Sequence, residues 1–149
     1  MRIMRDGHSC LWIIAGVVVS HAVSAGINAH AWFFGYMATM AGCAASGFVA
    51  VLWIIFGWVG GRFAQPRFIC IAFVFWLGLI LACGGIAEFY EAGAPNGILL
   101  VLLFLLTAPF YGIACFVPLS AAISQALVAI CVVGAASLIS YAAAVVSRR

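Results

Sequence analysis

The amino-acid sequence predicts an all-α protein, a polytopic bundle of five transmembrane helices in a single domain over residues 1–149. Hydrophobic residues make up 68% of the chain and charged residues only 6%, with a mean hydropathy of +1.32, whereas soluble domains are about 45–50% apolar. The charges lie near the two ends and in two short connections between long uncharged segments. A chain with so little polar surface cannot shield a core from water, so the lipid bilayer is the expected solvent.

The first predicted span covers about residues 10–27 and the second about residues 32–59, since about 20 apolar residues in a helix cross the hydrocarbon layer. The first span ends at the polar residues 28–30, and the second is long enough to tilt. Arg2 and Arg5 precede the first span, and small residues near its end resemble a signal-peptide cleavage site. The apolar character resumes directly afterwards, which favours an uncleaved helix over a cleaved signal peptide.

The third predicted span covers about residues 68–87 and follows a connection that carries Arg62 and Arg67. It ends in a predicted loop over residues 88–97, where two acidic residues, Gly, Pro and Asn interrupt the apolar sequence. The two carboxylates of this loop are interpreted as solvent-exposed groups, although paired carboxylates can also bind cations when they are desolvated.

Residues 98–146 carry no formal charge and as one helix would extend over about 70 Å, enough for two crossings. Pro109 and Pro118 interrupt this stretch, because proline removes a helical hydrogen bond and clashes with the preceding turn. We therefore expect a fourth span at about residues 98–117, kinked near Pro109, and a fifth span at about residues 119–146.

Arginine placement predicts the orientation, since Lys and Arg near span ends are retained on the cytoplasmic side. Arg62 and Arg67 fall on the same side as the N-terminus, which is therefore predicted to be cytoplasmic. Five crossings place Arg148 and Arg149 outside. An alternative with four spans and a re-entrant hairpin at residues 98–117 keeps both of them inside, and the accessibility of a tag at Arg149 distinguishes the two topologies.

Three polar residues, His21, Ser24 and Asn28, share one face of the first predicted helix, because they are spaced by three and seven residues. An ionisable residue at membrane depth marks either a functional site or a polar contact with a neighbouring helix. These residues are therefore candidates to line a substrate or proton site, with an interhelical hydrogen bond as the alternative. His30 lies beside Trp32 near the predicted interface, where such side chains serve as anchors.

No known catalytic motif occurs in the chain, and three acidic residues and three histidines leave few groups for acid–base chemistry. We expect no enzymatic activity, no cofactor and no metal site. The cysteines stand singly in apolar sequence and are interpreted as small buried hydrophobic residues. The charge of +3 forms no basic stripe, so nucleic acid is not an expected partner.

Small residues recur four positions apart, a spacing that lets transmembrane helices pack closely. This pattern predicts a compact bundle, a homo-oligomer or assembly with a partner membrane chain. The pairs include Gly42 with Ser46, Gly57 with Gly61, Gly78 with Ala82, and Ser120 with Ser124.

The connection between the second and third spans resembles a loop of the major facilitator superfamily, in which Gly is followed by an acid, a second Gly and basic residues. Gly57 begins the pattern and Arg62 and Arg67 supply its charges, whereas Gly61 and Ala64 stand where that family has the acid and the second Gly. The similarity extends over about residues 11–125, which corresponds to part of one half of a two-half transporter.

The resemblance implies a transporter-like or half-transporter protein that moves a small solute by rocking of its helices around a midplane site. In that interpretation His21, Ser24 and Asn28 line the site, and Arg62 and Arg67 anchor the cytoplasmic loop. A half of this kind needs a second copy or a partner chain. The alternative function is a non-catalytic structural or assembly subunit of a membrane complex.

Overall fold

The computed structural model describes residues 8–63, 66–91, 97–117 and 122–148, and every secondary-structure element within these ranges is helical. The all-α prediction is confirmed for them. A three-residue 3-10 helix, Ala108–Phe110, lies between the fourth and fifth of six α-helices: α1 (His8–Phe34), α2 (Met40–Arg62), α3 (Pro66–Glu91), α4 (Gly97–Thr107), α5 (Tyr111–Ala114) and α6 (Ala122–Val146).

The first helix is longer than the predicted span 10–27, because α1 continues past the polar residues to Phe34. It ends at Gly35, whose φ of 65° is a left-handed conformation that glycine adopts without steric cost. The backbone N–H of Tyr36 then donates to the carbonyl of Ala31 at 3.0 Å. This bond is the closing contact of a Schellman motif, so glycine sets the end of the helix.

The second helix begins at Met40, and the predicted start at Trp32 is wrong, because Trp32 belongs to α1. Thr39 is the N-cap of α2, and its hydroxyl oxygen accepts a hydrogen bond from the N–H of Gly42 at 3.1 Å. Apolar residues continue through this connection, so hydropathy alone did not reveal the turn.

The third helix also exceeds its predicted limits, since it begins at Pro66 and continues through Glu91. Proline is well suited to the first helical position, where no N–H is needed. Glu88 is exposed and lies inside this helix, not in the predicted loop over residues 88–97. Glutamate is a good helix former, so a change in polarity at the membrane surface does not have to end the helix.

The fourth predicted span consists of α4, the 3-10 helix and α5, so the α-helix is interrupted at Pro109. Thr107, Phe110 and Tyr111 keep right-handed helical backbone angles. The described backbone is therefore helical from Gly97 to Ala114. The predicted start of the last span at residue 119 lies outside the described residues, which resume with α6.

Four described segments are long and apolar enough to cross a membrane: Met40–Arg62, Ile69–Ile86, Gly97–Ala114 and Ser124–Val146. The helix α1 lies beside them as a fifth helix. Large apolar side chains are exposed on the outer faces of these segments, among them Val74, Leu105 and Ile139. The protein is therefore an integral, multi-pass membrane protein with lipid as its surrounding solvent.

The most extensive contact between helices in the described bundle is that of α2 with α6. A side chain at Gly57 would overlap the backbone carbonyl of Ser137, and one at Gly61 would overlap the carbonyl of Tyr141. The predicted small-residue pair on α2 thus permits direct contact between the two backbones. Next to this pair, buried side chains of α2, α3 and α6 enclose Phe110 and form the hydrophobic core, with Trp53, Trp76 and Ile130 among its largest members.

Candidate functional site

The break in the fourth span is the structural centre of the candidate site. Pro109 has no N–H and so cannot continue the α-helical hydrogen bonds, and the chain tightens into a 3-10 turn over Ala108–Phe110. All three residues of this turn are buried. Irregular backbone at membrane depth needs polar partners from the protein or from a water-filled cavity.

Three polar side chains, Ser24, Asn28 and Ser46, supply these partners. The Ser24 hydroxyl donates to the carbonyl of Pro109 at 2.8 Å. The Asn28 side-chain amide donates to the backbone carbonyl of Ser24 at 3.0 Å and to the hydroxyl oxygen of Ser46 at 3.1 Å. The same hydroxyl oxygen of Ser46 accepts the N–H of Gly112 at 3.0 Å. We call these three side chains, with the Pro109 carbonyl and the Gly112 N–H, the polar node.

The polar node connects α1, α2 and the broken helix, and its location follows from the break. Gly112 lies in the first turn of α5, where backbone N–H groups have no intrahelical acceptor. Ser46 is completely buried on α2 and provides the missing acceptor. A buried donor without a partner costs about 1–3 kcal/mol, so this bond removes a substantial penalty.

Close backbone contact surrounds the polar node. A Cβ at Gly112 would overlap the carbonyl of Gly42, and a Cβ at Gly42 would overlap the side-chain oxygen of Asn28. Two buried side-chain nitrogen or oxygen atoms in the described part of the chain have no hydrogen-bond partner, Asn28 Oδ1 and Trp76 Nε1. Both glycines are therefore required by the packing of α1 and α5 against α2.

His21 lies one turn before Ser24 on α1, and its ring contacts the break directly. The ring nitrogen Nδ1 is 2.8 Å from the carbonyl of Val17. Because a carbonyl can only accept, Nδ1 carries the hydrogen and Nε2 is left as an acceptor. The indole N–H of Trp53 faces Nε2 at 3.5 Å, which is long for a hydrogen bond.

Aromatic rings surround His21 on its other sides. The ring centroids of Trp53, Phe75 and Phe110 lie 6.2, 5.9 and 5.4 Å from that of His21, each in an edge-to-face arrangement. Trp53 also stacks on Phe75 at 4.9 Å and contacts Trp76 at 4.8 Å. We call His21 and these four aromatic residues the aromatic cluster. It joins α1 and the 3-10 turn to α2 and α3.

A second set of polar contacts lies toward the end of α1. The indole N–H of Trp32 donates to the Thr107 hydroxyl at 2.8 Å, and that hydroxyl donates to the carbonyl of Leu103 at 2.8 Å. The Tyr111 hydroxyl donates to the carbonyl of Tyr36 at 2.9 Å. The broken helix is therefore held to α1 before Pro109 and to the connection between α1 and α2 after it.

The predicted face of α1 is present, and its residues have different surroundings. Ser24 and Asn28 are 1% exposed and bond to the protein, whereas His21 is only partly buried. The residues predicted for this site did not include Ser46, Gly112 or Trp53. The spacing of Gly42 and Ser46 and the proline at position 109 were the available signals, but neither indicated a hydrogen-bonded network.

The predicted cytoplasmic loop residues do not lie together in a loop. Gly57 is buried inside α2, because its missing side chain is needed for contact with α6. Arg62 is exposed at the last position of α2. Arg67 lies in the first turn of α3, and its side chain is outside the described residues. The connection between these two helices is thus shorter than the sequence predicted.

No cluster of three or more His, Cys, Asp or Glu side chains that could hold a metal ion occurs among the described residues. The fold and the site define the class of protein. It is a multi-pass α-helical membrane protein in which a hydrogen-bonded break in one helix lies beside a histidine. Comparisons of the chain with protein-family models, with curated proteins and with solved structures found no match.

Proposed function

We propose that the protein is a transporter-like membrane protein that moves a small solute past the break in the fourth span. The observation that carries this proposal is the contact between His21 and Phe110, which places an ionisable ring against the 3-10 turn. Transporters commonly bind their substrates at discontinuous helices near the bilayer midplane. An ionisable residue inside a helical bundle in the membrane is also a functional-site candidate by default.

Within this proposal the three residues of the predicted α1 face have two roles. Ser24 and Asn28 hold the break in place, because most of their polar atoms are bonded to protein groups. His21 contacts the solute, because Nε2 is held only by the long contact with Trp53. Nε2 of His21 is an acceptor, because Nδ1 carries the ring hydrogen. The geometry thus favours a solute that donates hydrogen bonds.

The proposed topology has five spans, with α1 as the first and a cytoplasmic N-terminus. Support comes from the segment Gly97–Ala114, which is helical throughout and is long and apolar enough to cross a membrane. Membership of the major facilitator superfamily is part of the proposal, supported by Arg62 at the α2 end of a short connection. Such a half-transporter is completed by a second copy or by a partner chain.

Uptake from a mixture tests the transport function without prior choice of a solute. Proteoliposomes are incubated in a ¹³C-labelled cell extract, and mass spectrometry identifies the labelled solutes inside. We expect at least one solute class to accumulate above the level in protein-free liposomes, and this excess to be lost in His21→Ala. The matched control is His30→Ala, because His30 is exposed and its ring contacts only Phe34 and Tyr36 among the described rings. Equal contents in protein-containing and protein-free liposomes would refute the proposal.

The second candidate function is a structural or assembly subunit, and the outer face of α3 favours it. A Cβ at Gly78 would meet no atom within 4 Å, and the neighbouring Val74 and Leu81 are exposed. A small residue on an open apolar face suits close approach by another transmembrane helix. Native mass spectrometry after mild detergent extraction separates the candidates: stable association with an unrelated chain supports the subunit, and a self-dimer supports the half-transporter.

A further inference from the structure

We propose that His21 is a proton-binding site, and that the proton it takes up at Nε2 is a species that this protein carries or couples to transport. The inference names the chemistry of the site described above, so its transport part rests on the proposed function. Proton binding itself stands on the geometry of the aromatic cluster.

The hydrogen-bond pattern leaves one place for the proton. Nδ1 already carries a hydrogen, which it donates to the carbonyl of Val17 at 2.8 Å. The lone pair of Nε2 faces only the Trp53 indole N–H, at an N–N distance of 3.5 Å. A proton delivered from water forms a new N–H bond at Nε2 and gives an imidazolium with one positive charge. Release to water on the other side restores the neutral ring, so no oxidant or other reactant is needed.

The groups that face His21 are suited to a transient charge. They are Trp53 from α2, Phe75 from α3, Phe110 from the 3-10 turn and the Val17 carbonyl from α1. None of these groups is titratable or charged. Aromatic rings attract a cation through their electron-rich faces, whereas a buried carboxylate would hold the imidazolium as a permanent ion pair. The site therefore favours reversible uptake over permanent protonation.

Protonation changes the relation between His21 and Trp53. In the neutral state the Trp53 N–H points at an acceptor, and after protonation two N–H donors face each other. The indole has to rotate away from Nε2 or present its ring face to the imidazolium. Trp53 stacks on Phe75 and contacts Trp76, so this rotation is transmitted to α3. Trp53 thus couples the charge on His21 to the packing of the bundle.

The experiment is a pH titration of the full chain in lipid nanodiscs, with two readouts that do not depend on transport. Imidazole ¹⁵N NMR reports the protonation of His21, and tryptophan fluorescence reports the surroundings of Trp53. We expect both signals to change together in the wild type. The fluorescence transition should be lost in His21→Gln and in Trp53→Phe, whereas the NMR titration of His21 should persist in Trp53→Phe. His30→Gln should retain both transitions, and circular dichroism verifies the fold of each variant.

Two outcomes overturn the inference: a ¹⁵N signal of His21 that stays neutral across the titration, or a fluorescence transition that His21→Gln leaves unchanged. Proton flux is measured separately, in proteoliposomes loaded with a pH-sensitive dye and energised by a potassium gradient. A His21-dependent titration without any flux or solute uptake upholds proton binding and refutes the transport role. Solute uptake that requires His21 without a titration supports the proposed function and refutes proton binding.

Discussion

The contact between α2 and α6 gives the most direct test of the fold, through the substitution Gly57→Ala. The new methyl group would overlap the carbonyl oxygen of Ser137, with the Ser137 carbonyl carbon only 3.1 Å away. These atoms belong to the backbone of a helix and cannot rotate aside as a side chain can, so the two helices have to separate. The nearby hydrogen bond from the Ser140 hydroxyl to the carbonyl of Ile54, 2.8 Å long, spans the same interface and would be weakened.

The expected magnitude follows from comparison with Gly78→Ala. Both substitutions gain up to about 1 kcal/mol of helix propensity, so this term cancels between them. At Gly78 the methyl group meets no protein atom within 4 Å. The difference therefore reports the overlap itself, for which overpacking costs about 1–3 kcal/mol. We expect Gly57→Ala to be less stable than Gly78→Ala by this amount.

The measurement is chemical unfolding in mixed lipid–detergent micelles, followed by helical circular dichroism, for the wild type and both variants. Gly61→Ala should behave like Gly57→Ala, because its methyl group would overlap the carbonyl of Tyr141. Equal free energies of unfolding for Gly57→Ala and Gly78→Ala would show that the two helices do not pack backbone to backbone, and the reasoning would fail.

Three further predictions concern the polar node and the topology. Ser24→Ala removes the bond to the Pro109 carbonyl and should lower the free energy of unfolding by about 0.6–1.7 kcal/mol. The control Ser20→Ala loses only a bond to Val17 in its own helix and should change the free energy of unfolding by at most about 0.5 kcal/mol. Equal losses in the two variants would contradict the role of Ser24 in holding the break. Gly42→Ala should destabilise the protein by about 1–3 kcal/mol, because the new methyl group would overlap Asn28 Oδ1. In the control Gly47→Ala, on the same helix, the methyl group meets nothing within 4 Å and should not destabilise the protein. Equal free energies of unfolding for the two variants would contradict the packing of the polar node. A tag after Arg149 should be accessible only from outside intact cells, and cytoplasmic accessibility would rule out five spans with a cytoplasmic N-terminus.

The local parts of the site could be predicted from the sequence because they depend on helical geometry alone. The spacing of Ser24 and Asn28 places them on one face, and the Asn28 amide bonds to the Ser24 carbonyl four residues earlier. Pro109 similarly predicts a break, since proline disrupts a helix when it lies in the helix interior. Each of these predictions depends only on residues that lie within about one or two helical turns of each other.

The partners of the site could not be predicted, because they come from distant parts of the chain. Ser24 bonds 85 residues ahead to Pro109, and Ser46 receives an N–H from 66 residues ahead, at Gly112. Small residues at fixed spacing indicate that a helix packs closely, but not against which helix. The boundary between the first two helices was missed for another reason: Gly35 provided the stop signal, while the apolar residues on both sides concealed it.

The sequence separations within the polar node also determine the order in which its hydrogen bonds can form during synthesis of the chain. As the chain leaves the ribosome, Asn28 first bonds within its own helix, and the hydroxyl of Ser46 becomes available when α2 is inserted. Ser24 and Ser46 acquire their remaining partners only when Pro109 and Gly112 have been synthesised. A nascent chain that stops after α3 thus contains an incomplete core, and assembly of the N-terminal helices is completed by a segment that is translated long after them.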